Sequence, residues 1–88
     1  MTTYLVHREL AGISIEDLAA AQRAAIATSD RLRSEGSDVS YMRSVYVPSS
    51  GQCRCLFEAS DVETVARVQA EASLPYEDIV EAFDLPPA

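Results

Sequence analysis

The stretch VSYMRSVYVPSSGQCRCLFEA, residues 39–59, decides the fold. Two runs rich in β-branched and aromatic residues flank Pro48-Ser49-Ser50-Gly51, the pattern of a β-hairpin with a four-residue loop. Val47 then faces Gln52, and continuing the pairing predicts Ser44 opposite Cys55, Met42 opposite Phe57 and Tyr41 opposite Glu58. Because side chains alternate across a strand, this register sorts the hairpin into two faces. One carries Met42, Ser44, Tyr46, Cys53, Cys55 and Phe57 and reads as core. The other carries Val39, Tyr41, Arg43, Val45, Val47, Arg54, Leu56 and Glu58, a mixture suited to a surface partly buried against something else.

Working outward, Tyr4 to Glu9 is short, β-leaning and closed by Ala11-Gly12, which predicts a first strand. Val6 inward places His7 and Glu9 on the open face. Ser14 caps a long helix with Glu16 and Asp17 in its first turn and Arg31 and Arg33 in its last, and Gly36 stops it. Ile15, Leu18, Ala21, Ala25 and Leu32 form its apolar stripe, with Gln22 and Ser29 at the stripe's edge. Ser60 with Glu63 forms a capping box for a second helix running to about Ala72, which Leu74-Pro75 ends. Asp78 to Asp84 alternates again and predicts a final strand. The order β-α-β-β-α-β over residues 1–88 predicts one domain: an α+β, ferredoxin-like sandwich with a four-stranded antiparallel sheet and both helices on one face. The bare face predicts a homodimer with sheets facing one another, through Tyr41, Arg43, Val45, Val47 and Leu56.

Composition narrows the function classes. Eighty-eight residues allow only a modest core, which dimerisation would help. A net charge of −7 with seven scattered basic residues argues against nucleic acid. No run is long enough to cross a bilayer, and the Met-Thr-Thr-Tyr start lacks the features of a secretion signal, so a cytoplasmic protein that does not engage membranes is expected. Cys53 and Cys55 are then expected to be reduced. At a spacing of roughly 6.5 to 7 Å along one strand they stand at the far limit for a disulfide. Together with His7 they form one conceivable soft-metal set, but core packing as small hydrophobes is the simpler role. His7 is the only histidine and the first candidate proton carrier or metal ligand. No nucleophile–histidine motif and no glycine-rich phosphate loop is present.

Taken together, Tyr4-Leu-Val, the Ala-rich helix after Gly12-Ile-Ser, the strand ending Val47-Pro48, Cys55-Leu-Phe-Glu-Ala-Ser-Asp61 and Leu74-Pro-Tyr-Glu-Asp-Ile-Val-Glu81 resemble a family of small bacterial nickel-binding-like proteins over nearly the whole chain. The resemblance implies a ferredoxin-like fold, a dimer and, in some members, nickel held partly through histidines near the first strand. Those members carry adjacent histidines there, whereas here His7 is followed by Arg8. The implied cofactor is nickel or another divalent metal, with His7, Glu9 and Glu58 as candidate ligands, since nickel favours imidazole and accepts carboxylate oxygen. Two further readings stand beside a metal- or small-ligand-binding protein. One is a cofactor-free monooxygenase, isomerase or cyclase acting on an apolar substrate in a cavity lined by Met42, Tyr46, Cys55 and Phe57. The other is an interaction module without a ligand.

Overall fold

A computed structural model of the chain describes residues 1–87. The elements are β1 (Thr2–Glu9), α1 (Ile15–Ser34), β2 (Val39–Val47), β3 (Gln52–Ala59), α2 (Val62–Glu71) and β4 (Asp78–Ala82). They form one four-stranded sheet in the order β2-β3-β1-β4, with each neighbouring pair antiparallel. This is the expected ferredoxin-like sandwich. Phe57, Leu32, Val6, Val39, Val65 and Val68 are the large apolar side chains of the fully enclosed core between sheet and helices.

The hairpin keeps the expected register from Val47–Gln52 down to Arg43–Leu56 and then breaks it. Met42 has no partner, and the ladder resumes with Tyr41 opposite Phe57, Ser40 opposite Glu58 and Val39 opposite Ala59. One extra residue in one strand is a β-bulge, and it reverses the parity of everything beyond it. Val39 is therefore buried rather than open, and the Tyr41 ring meets Phe57 edge-on at 5.5 Å. The pairings Met42–Phe57 and Tyr41–Glu58, and with them the place of Tyr41 on the open face, are corrected by this bulge.

Both helices start where side chains can satisfy free backbone N–H groups. Ser14 Oγ accepts from the Asp17 amide at 3.1 Å. At α2 the cap is Asp61 rather than the expected Ser60: its Oδ1 accepts from the Thr64 amide at 2.9 Å and the Thr64 hydroxyl at 2.6 Å. These bonds hold the Asp61 carboxyl below its ordinary pKa. A carboxylate one residue later outcompetes the serine because it accepts two bonds at once and carries charge beside the helix's positive end. In α1 only Ala25, Ser29 and Leu32 are buried, all in the second half. Ile15, expected in the stripe, is 73% exposed. The first turns of α1 stand over the sheet with a cleft between, lined from the helix by Ile15, Leu18, Ala19, Ala21 and Gln22. β4 ends at Ala82, two residues before the expected Asp84.

The hairpin loop is tied down at Gly51. Its carbonyl accepts from the Leu10 amide at 2.7 Å, and its φ of +75° suits glycine. A Cβ here would lie 2.5 Å from the Ala11 Cα. Gly51→Ala is expected to cost at least about 2 kcal/mol in denaturant unfolding, from a left-handed alanine and a backbone collision together. The cap assignment has its own check. Asp61→Ala is expected to lower the thermal midpoint by a few degrees, while Ser60→Ala leaves it unchanged.

Candidate functional site

Neighbouring residues of β1 serve opposite faces of the sheet. His7 lies on the open face, in a cross-strand row running from Val45 through Arg54 and His7 to Asp78. Its side chain is 20% exposed and sits between two carboxylates. Glu9 Oε1 is 3.1 Å from Nε2, and Asp78 Oδ1 is 3.9 Å from Nδ1. Glu9 approaches off the line a hydrogen bond requires, so Nε2 is buried without a hydrogen-bond partner. A ring nitrogen and a carboxylate oxygen this close are two acceptors unless a proton or a metal cation serves both.

The expected ligand set is only partly assembled. His7 and Glu9 are together. Glu58 pairs with Thr3, four residues along β1 from His7, a separation of about 13 Å, and takes no part. Asp78 replaces it as the second carboxylate beside the imidazole, brought there by the β1–β4 pairing. Among the described residues no cluster of three or more His, Cys, Asp or Glu side chains forms a complete metal cage. Arg43, Val45, Val47 and Leu56 occupy the open face as expected, with Val45 61% exposed. Arg43 pairs with Asp84.

On the covered face, a cleft of about 240 Å³ opens between the first half of α1 and the sheet. Tyr46, Cys53 and Cys55 line it, as do Ser44, Gln22 and Arg8; Met42 and Phe57 do not. Met42 falls in the bulge, and Phe57 is wholly enclosed in the core. Arg8 is the residue sequence reasoning passed over. It is 3% exposed, donating to Gln69 Oε1 at 2.5 Å and to the Pro75 carbonyl at 3.2 Å, and among the described residues no carboxylate pairs with it. Its signal was available: a cation sharing the parity of inward Val6.

Arg8 lies opposite Cys53 on β3, and Cys55 is one same-face step further. The two sulfurs are 3.9 Å apart, and the Ser44 hydroxyl donates to Cys55 Sγ at 3.0 Å. The Cys53 bond, the Ser44 bond and the Arg8 charge lower the Cys55 pKa against the opposing effect of burial. Cys53 moves up, because an adjacent thiolate and burial both disfavour a second negative charge.

No curated protein matches this chain. The crystal structure of SCO4226 from Streptomyces coelicolor A3(2) is similar, with 25% identity over 91% of this chain and 94% of that one and a TM-score of 0.78. The family described as nickel responsive protein SCO4226-like matches residues 4–82. The match spans all six elements of the sandwich, and the chain belongs to the SCO4226-like family of nickel-responsive proteins.

Proposed function

We propose that this protein binds a divalent cation, nickel by its family, at His7 and Glu9 on the open sheet, and that a second copy of the same face supplies the remaining ligands. The observation that carries this reading is the buried, unpartnered Nε2 lying 3.1 Å from a carboxylate oxygen. The Asp78 carboxylate, 3.9 Å from Nδ1 and so beyond hydrogen-bond reach, favours by its charge a proton on that nitrogen, which leaves the Nε2 lone pair for a ligand. An imidazole nitrogen and a carboxylate oxygen suit nickel, so the residues present fit the ion as half a site. Bound there, the cation would neutralise acceptor groups and join two chains.

The open face supports the second copy. Val45, Val47 and Val80 are exposed, flanking half-buried Leu5 and Leu56, while Arg43 and Arg54 lie on the same sheet as Glu9 and Asp78. Apolar centres with both signs of charge are self-complementary about a two-fold axis. Arg54 beside His7 opposes a cation, so Glu9 and the partner's acceptors must outweigh it.

Calorimetric titration of tag-free protein with nickel is expected to give micromolar binding at one ion per two chains, weakened at least about ten-fold by His7→Ala. Absence of heat from the native protein would remove the metal reading. Val45→Asp is expected to convert a dimer to a monomer by light scattering and to weaken nickel binding with it. Unchanged binding at one ion per monomer would instead place the whole site within one chain.

A further inference from the structure

The covered face holds a feature that metal binding on the open face does not use. A chain of hydrogen bonds runs along the cleft and ends on sulfur: Gln22 Nε2 to the Tyr41 hydroxyl at 3.0 Å, Tyr41 to Ser44 Oγ at 2.7 Å, and Ser44 Oγ to Cys55 Sγ at 3.0 Å. Its direction is fixed. The amide nitrogen of Gln22 can only donate, and the one proton of Ser44 goes to sulfur, so Tyr41 must accept from Gln22 and donate to Ser44. Every donor therefore points toward Cys55, which ends the chain as an acceptor. Cys53 adds a second weak donor at 3.9 Å.

Arg8 supplies the charge that matches this arrangement. A guanidinium 3% exposed, bonded only to a neutral amide and a carbonyl, is costly unless an anion lies near. The anion its surroundings offer is the Cys55 thiolate. The remaining groups around the sulfur agree: the charged or titratable side chains of the cleft are Arg8 from β1, Cys53 from β3 and Tyr46 from β2, with Tyr41 behind Ser44, and α1 lines it with none. Tyr46 is held away by donating to the Leu10 carbonyl at 2.9 Å.

We propose that the cleft under α1 is a nucleophilic site in which the Cys55 thiolate adds to a small, apolar-bodied α,β-unsaturated carbonyl compound. Cys55 is 5% exposed, so a reagent reaches it only by way of the cleft. A cleft of about 240 Å³ is on the scale of a small maleimide or enone. Leu10, Leu18 and Ala21 provide apolar walls. In the step, sulfur forms a bond to the β-carbon, the π pair moves to the α-carbon and carbonyl oxygen as an enolate, and a proton from solvent restores the carbonyl. Nothing leaves and no oxidant is needed. The proton lost from Cys55 beforehand balances the one taken up, and Arg8 is the cation that lines the same cleft. Positive charge beside a thiolate, with donors aimed at sulfur, is the general condition for a reactive cysteine.

The test is alkylation of the native protein by N-ethylmaleimide, followed by intact mass and peptide mapping across pH. The expected result is one adduct per chain, on Cys55, formed at pH 7 at least about ten-fold faster than on Cys53, with a rate midpoint below the ~8.5 of free cysteine. Ser44→Ala is expected to raise that midpoint, and Ala21→Phe, which narrows the cleft, to slow the reaction without moving it. Arg8→Lys, which keeps charge but not the forked bonds, is expected to retain a lowered midpoint. Two thiols that stay inert until denaturant is added, or equal rates at Cys53 and Cys55, would overturn the proposal. Because Cys55 and His7 lie on opposite faces, His7→Ala should leave the alkylation unchanged, which separates this site from the nickel reading.

Discussion

A single unpaired residue, Met42, sets the character of the covered face. Without the bulge, strict alternation would carry the Tyr41 phenol to the open sheet and leave Ser44 with no donor behind it. With the bulge, Tyr41 turns under α1, packs edge-on against Phe57 and lends its hydroxyl to Ser44. The same irregularity buries Val39 beneath the end of α1. A one-residue insertion in an edge strand thus costs a ladder step and gains both a core side chain and a polar relay.

Polar groups in so small a core have to be matched closely. Arg8 reaches across to α2, where Gln69 offers an acceptor while its own amide nitrogen donates to the Val65 carbonyl at 2.9 Å. The Pro75 carbonyl, presented where α2 has ended, takes a second guanidinium N–H. Arg8 therefore ties β1, α2 and the loop into β4 at one point. On the surface, Glu71 bridges Arg31 of α1 at 2.5 Å and Arg67 of its own helix at 2.6 Å. Such exposed pairs contribute little; the buried contact defines how the second helix sits.

The element order, the hairpin loop, the Ser14 cap and the sandwich were all legible in the residues, because periodicity and turn chemistry act locally. The bulge was not: nothing in Ser40-Tyr-Met-Arg marks which residue will be skipped, since the shift is decided by how Val39 and Tyr41 fit beneath α1. The Asp61 cap was missed by one position because Ser60 and Asp61 are both good caps, and only the chain's path out of β3 chooses. His7 stood out as the only histidine, and parity placed Glu9 on the same open face. Asp78 needed the sheet order, which brings β4 beside His7; the parity of Val6 marked Arg8 as inward, and only the pairing with β3 shows that it faces two cysteines far away in sequence.

His7 and Arg8 are joined by one peptide bond and look in opposite directions. A slip of β1 by a single residue against either neighbour would push the guanidinium out to solvent and draw the imidazole into a thiol-lined interior, undoing both faces at once. The central position of β1, hydrogen-bonded to β3 on one side and β4 on the other, locks the strand against such sliding. The imidazole and the guanidinium–thiol cluster are thereby kept apart by the thickness of one sheet, and neither can be shifted without moving the strand that carries both.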